Sequence, residues 1–109
     1  PFAEAAFGAA GVETLLPALL SLVADESLTL MEALRVVTSG PADILGLPGG
    51  VLAEGAPADF ILFDPNTPWA CKRENLSSRS HNSPFDGRRL YGQVKQTFVD
   101  GRCVFQLEA

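Results

Sequence analysis

The sequence has one histidine, His81, in "SRSHNSPF", with no partner at metal-ligand spacing. A chain so poor in imidazole does not supply the cluster of His, Asp, Glu or modified Lys side chains that a metal-dependent hydrolase needs. His81 therefore reads as a loop histidine, solvated or held by local hydrogen bonds. Basic residues are few: eight Lys and Arg against thirteen Asp and Glu give a net charge of −5. That balance excludes a nucleic-acid or anionic-membrane surface, either of which would need a basic patch. Only "CKR" and "GRR" are locally basic, and both are short. The two cysteines, Cys71 and Cys103, lie far apart without CxxC spacing, so reduced, cytoplasmic thiols are expected rather than a zinc knuckle or a redox pair. No stretch approaches the roughly 18 uninterrupted apolar residues of a membrane span. A basic region leading into an apolar run, as in a secretory leader, is also missing, and no GxSxG, Walker, GxGxxG or HExxH motif occurs.

What remains is apolar enough to fold. With 47% hydrophobic and 19% charged residues over 109 positions, the chain can bury the core of one domain. It opens on proline, reaches its one methionine at Met31, and carries the Gly- and Ala-rich stretch "AAFGAAGVETLLP" directly before a leucine-rich segment. Such a loop ordinarily joins a strand to a helix, and no strand precedes it. The chain is therefore expected to be the tail of something larger.

Leu15, Leu16, Leu19, Leu20 and Val23 recur at helical spacing and predict a helix beginning near Gly11, with Pro17 tolerated in its first turn. "TLME" predicts a second helix capped by Thr29, with Glu32 reaching back to it. "SGPADILGL" predicts a third, short helix with Pro41 at its start and Gly46 at its end. The period then changes. "ADFILFDP" is a continuous apolar run closed by Asp64 and Pro65, the pattern of a buried strand. "VKQTFVDGRCVF" places Asp100 and Gly101 between two β-rich runs and predicts a hairpin. The polar segment between them reads as loops with one short strand at Trp69 to Lys72. Helices first and strands last fit either an α+β fold or the end of an α/β barrel followed by a small β domain.

The candidate polar residues are mostly structural on this reading. Glu13, placed in the first turn of the leucine helix, is suited to complementing its dipole or anchoring a loop rather than to acid–base work. Asp59 and Asp64 flank the apolar run as turn formers. Arg88 and Arg89 could grip an anion, although paired arginines beside a turn more often form a surface or subunit contact. Phe7, Gly8 and Gly11 precede a helix N-terminus, where free N–H groups favour a carboxylate, and Gly8 allows close main-chain approach.

Taken in order, "AAFGAAGVETLLPALLSLV", "LTLMEALRVVTSGPADILGLP", "GVLAEGAPADFILFDPNTPW", "SSRSHNSPFDGRRLYGQV" and "TFVDGRCVF" resemble the C-terminal part of class I dihydroorotases of the amidohydrolase superfamily. The resemblance covers essentially the whole chain. Hydantoinases usually carry a different signature where this chain has "NSPFDG". The resemblance implies an α/β parent, a TIM-like barrel holding zinc with a small β domain built from both chain ends. Residues 1–48 would be the end of the barrel and residues 49–109 the C-terminal segment of the β domain. It also implies the reversible interconversion of L-dihydroorotate and N-carbamoyl-L-aspartate in pyrimidine synthesis. A zinc-bound hydroxide attacks the ring amide, and an aspartate at the end of the last barrel strand shuttles the proton.

In the family's pattern that aspartate and the metal ligands stand before the point where this chain begins, so the chain alone is expected to hold no metal and no catalytic residue. Phe7 and Gly8 do match the family's loop position where main-chain groups contact the substrate. "NSPFDGRRLYG" is assigned to turns that return the chain to the β domain. The implied partners are the small-molecule substrate, the N-terminal part of the same enzyme, a second copy in a homo-oligomer, and aspartate carbamoyltransferase. The alternatives are a metal-less dihydroorotase-like subunit scaffolding that transferase, and another cyclic amidohydrolase such as an allantoinase or hydantoinase.

Overall fold

Thr29 and Glu32 close a capping box at the start of the second helix. The Thr29 hydroxyl accepts the Glu32 N–H at 3.2 Å, and the Glu32 carboxylate accepts the Thr29 N–H at 2.9 Å. This helix, α2 (Leu30–Arg35), lies in sequence between α1 (Leu15–Ala24) and α3 (Ser39–Leu45) in a computed structural model that describes residues 2–4, 9, 11–80 and 82–108. A single turn of 3₁₀-helix at Phe2–Glu4 precedes them. As expected, Pro17 falls in the first turn of α1, Pro41 near the start of α3, and Gly46 caps its end. No helix among the described residues is long and apolar enough to cross a membrane.

The buried stripe of α1 differs from the expected leucine face. Thr14, Pro17 and Leu20 are buried, whereas Leu16, Leu19 and Val23 are half-buried and Leu15 is exposed. Pro17 and Leu20 turn towards the sheet, where α1 packs on the middle strand, while Thr14, before the helix, lies beside Leu76 and Ser78.

Three antiparallel strands follow: β1 (Phe60–Ala70), β2 (Arg89–Val99) and β3 (Arg102–Gln106), in spatial order β1-β2-β3. The expected end of β1 at Asp64 and Pro65 does not occur. The ladder instead slips between Asp64, opposite Gln93, and Pro68, opposite Tyr91, so the residues between them form a bulge. Pro65 has no N–H to lose there, and the Asp64 carboxylate accepts the Asn66 N–H at 2.8 Å, so the bulge satisfies itself locally. The strand resumes through Trp69, opposite Leu90, and merges with the short strand expected after it. Similarly, "RLYG" from Arg89, expected as loop, is the start of β2.

The expected burial of β1 is also corrected. Ile61 and Leu62 are exposed because this chain's own helices cover only part of one sheet face. Phe60 is better covered: its ring stacks on that of its ladder partner Phe98, centroids 4.7 Å apart.

The hairpin is as expected. Asp100 (φ 53°) and Gly101 (φ 77°) both take the left-handed backbone that a two-residue type I′ turn requires. Its tip is clamped to the chain before β1: the Asp100 N–H donates to the Asp59 carboxylate at 2.7 Å and the Gly101 N–H to the Ala58 carbonyl at 3.0 Å. Residues 90 and 92 of β2 point at α1 and are buried, while Tyr91 between them is exposed. Gly92 is where helix and sheet meet most closely. Its φ of 105° is unusual for any side chain, and a Cβ there would overlap the Leu20 side chain.

Candidate functional site

Phe7 and Gly8, the expected substrate-contacting pair, lie outside the described residues, as does His81. The segment leading from that pair into α1 is described from Gly11 onwards. α1 begins at Leu15 rather than near Gly11, because residues 12–14 form a turn in which the Thr14 hydroxyl donates to the Gly11 carbonyl at 3.5 Å. The positive end of the helix dipole therefore starts four residues later than the leucine pattern suggests.

Glu13 is an anchor. Its carboxylate accepts the N–H of Ser77 at 2.7 Å and that of Ser78 at 3.4 Å, joining positions 64 and 65 residues apart in sequence. It stands just before the N-cap Thr14 rather than inside the first turn.

The "NSPFDGRR" segment builds a clamp around Cys71. The Cys71 N–H donates to the Arg88 carbonyl at 2.8 Å, and the Gly87 N–H donates to the Cys71 carbonyl at 2.7 Å, continuing the β1–β2 ladder beyond Ala70. Within the turn, the Phe85 N–H donates to the Ser83 hydroxyl at 3.2 Å and the Arg88 N–H to the Phe85 carbonyl at 2.9 Å. The Arg73 N–H donates to the Asp86 carboxylate at 2.8 Å, which ties the 3₁₀ turn Arg73–Asn75 to the same structure. These bonds agree with the structural assignment of this motif. Arg88 lays its guanidinium over the Phe85 ring, 5.5 Å from the centroid.

The carboxylates with displaced titration are held as anions. Hydrogen bonds from the Ser27 hydroxyl and N–H pull the Asp25 pKa below the ordinary range. The Asn66 N–H, the Thr67 hydroxyl and the Lys95 charge do the same for Asp64. Glu32 is lowered by the N–H and hydroxyl of Thr29. A general acid working near neutral pH needs the opposite displacement, so none of the three is poised for proton transfer. Among the described residues no three His, Cys, Asp or Glu side chains come together as a metal site. An open groove of about 760 Å³ between α1 and the sheet is lined by Pro17, Leu20, Asn66, Arg88 and Tyr91 among others and is mainly apolar. It presents no pair of groups arranged for acid–base or nucleophilic chemistry.

Residues 5–104 match the Amidohydrolase family. The chain belongs to that family. Among curated relatives, the dihydroorotase of Anaplasma phagocytophilum (strain HZ) is 43% identical over 99% of this chain. That of Syntrophotalea carbinolica is 44% identical over 92% of this chain. In both cases the chain spans 24% of the relative's length. The L-hydantoinase (dihydropyrimidinase) of Arthrobacter aurescens superposes with a TM-score of 0.86 at 30% identity, covering 96% of this chain and 24% of that one. A D-hydantoinase structure superposes with a TM-score of 0.83 at 24% identity over 91% of this chain and shares the fold.

The resemblance to dihydroorotases read from the motifs is thereby borne out at the level of sequence similarity. In this amidohydrolase chain, the residues that sequence reasoning missed are those acting over long range. Gly92, which receives both Leu20 and the Trp69 indole, could have been found from the isolated glycine in the β-rich run "LYGQV". The Glu13 bond to Ser77 left no local signal.

Proposed function

We propose that this chain is the C-terminal part of a dihydroorotase, an enzyme interconverting L-dihydroorotate and N-carbamoyl-L-aspartate in pyrimidine synthesis. The observation carrying this reading is the identity of 40–44% to dihydroorotases over nearly the whole chain. Residues 1–48 would close a TIM-like barrel and residues 49–109 would supply strands to a small β domain. The described residues do not fit a zinc site, so the zinc implied for the parent would be held elsewhere. The chemistry assigned to this chain is confined to binding and orienting the substrate. Main-chain groups at Phe7 and Gly8 would contact the substrate, in a loop whose following residues are fixed by Glu13 and Thr14. Both thiols are free, which suits a cytoplasmic enzyme.

The test is turnover by the full-length protein. It should open L-dihydroorotate and close N-carbamoyl-L-aspartate, and Gly8→Val should lower kcat/KM more than Phe7→Leu, because a β-branched side chain blocks main-chain approach. A second reading is supported by the superposition on L-hydantoinase. Opening of a hydantoin or dihydropyrimidine without turnover of dihydroorotate would replace the first reading with that one.

A further inference from the structure

The groove between α1 and the sheet sets one charge of each sign on a mainly apolar surface. Asp25 lines it from the end of α1, and Arg88 lines it just before β2. By the alternation that buries Leu90, Arg88 falls on the α1 side of the sheet and its neighbour Arg89 on the other. Asp25 and Arg88 are both exposed, and among the described residues Arg88 forms no ion pair with Asp25 or with any other acid. Its guanidinium lies instead over the half-buried Phe85 ring, which steadies it without using its N–H donors. Asp25 is held as an anion: its Oδ1 accepts the Ser27 N–H at 3.0 Å. A steadied cation and a steadied anion, each without a counter-ion, thus share one open groove. An acidic partner would answer Arg88 and repel Asp25, and a basic one would do the reverse. A second copy of this chain answers both, because a twofold axis sets residue i of each copy against residue j of the other.

We propose that this groove is the contact between two copies of the protein, with Asp25 of each protomer paired with Arg88 of the other. Apolar groove surface such as Val23 and Phe85 forms the centre and the two charge pairs the rim, the usual anatomy of a protein interface. The contact does not depend on which cyclic amide the protein opens.

The experiment is sedimentation equilibrium of the full-length protein at low salt, where charge pairs are least screened. The wild type should be dimeric. Asp25→Arg or Arg88→Glu alone puts like charges opposite each other at both contacts and should raise the dimer dissociation constant about tenfold. Arg88 serves the Cys71 clamp through its backbone, so its substitution leaves those bonds in place. An equimolar mixture of the two variants restores unlike charges at both contacts, and its heterodimer should recover the wild-type constant within about threefold. Neither a folding defect nor a contact within one chain reproduces that recovery. Asp25→Arg also gives up the bond to Ser27. If it is not recovered folded, Asp25→Asn is combined with Arg88→Glu in one chain; this removes the repulsion and should dimerise more tightly than Arg88→Glu alone. A monomeric wild type, a dimer indifferent to both reversals, or a mixture or combined chain no tighter than the single variants overturns the proposal. The last of these would put the groove under another part of the same polypeptide or under a different partner.

Discussion

The indole N–H of Trp69 donates to the carbonyl oxygen of Gly92 at 2.8 Å, across the β1–β2 ladder and at the point where Leu20 of α1 lies against the same glycine. Helix, bulged strand and middle strand are joined at one residue. Trp69→Phe keeps most of the ring's packing and leaves that carbonyl without its donor, at a cost of about 1 kcal/mol. Gly92→Ala adds a Cβ where φ is 105° and Leu20 occupies the space, which should cost about 2 kcal/mol or more. Denaturant midpoints of the full-length variants measure both, and a Gly92→Ala midpoint equal to the wild type would remove this junction from the fold's energetics.

Thr29→Ala removes one half of the capping box and should destabilise α2 by about 1 kcal/mol. The box also carries a pH dependence. The Thr29 N–H, with its hydroxyl, holds the Glu32 carboxylate below the ordinary range, so the folded state binds that proton more weakly than the unfolded chain. Its contribution is complete above the ordinary glutamate range and is lost as pH falls through the lowered folded-state value. The protection of the Thr29 and Glu32 amides against hydrogen exchange, corrected for the intrinsic pH dependence of exchange and followed down from neutral pH, should fall only in that acid window. An equal fall in Glu32→Gln would show that another group is responsible.

At the hairpin, Gly101→Val places a β-branched side chain at a φ of 77° and should destabilise the full-length protein by about 1–2 kcal/mol. Asp100→Gly relieves the positive φ of Asp100 without touching its N–H bond to Asp59, so it should cost far less. Thermal unfolding of the pair separates the effects, and equal losses in the two variants would count against a type I′ turn.

Expressed alone, the 109 residues should self-associate. Val12, Ile44 and Leu52 are 89%, 85% and 82% exposed, and Ile61 and Leu62 are exposed on β1, which is more apolar surface than a lone domain ordinarily leaves open. Size-exclusion chromatography with light scattering reads this directly. A monodisperse monomer that unfolds cooperatively would overturn the prediction and favour a self-standing module.

What the sequence made legible was local. Thr29 and Glu32 are three residues apart, Asp100 and Gly101 are adjacent, and Gly46 follows its helix directly, so each signal lies within one turn of chain. The bulge at Asp64 to Pro68 was misread as a strand end, because two prolines and an asparagine look the same in a terminating turn as in a bulge that the flanking ladder carries across. The depth of α1 was misjudged for a related reason. Leucines mark an apolar face, but the residues buried deepest are Thr14, Pro17 and Leu20, and of these Leu20 lies against Gly92, where no side chain stands in its way. Of the candidate polar residues, Glu13 was expected to complement the helix dipole or anchor a loop, and the second holds. Its partners, more than sixty residues away, follow from tertiary structure alone.

The clamp around Cys71 gives the two thiols separate chemical lives. Cys71 has no exposed surface and its backbone is bonded on both sides to the turn ending at Arg88, whereas Cys103 lies open on β3. An alkylating reagent meets Cys103 on first encounter, but it reaches Cys71 only when that turn lets go. The rate at which Cys71 is modified is thus a clock for the parting of β1 from β2, one that nature has installed without a probe.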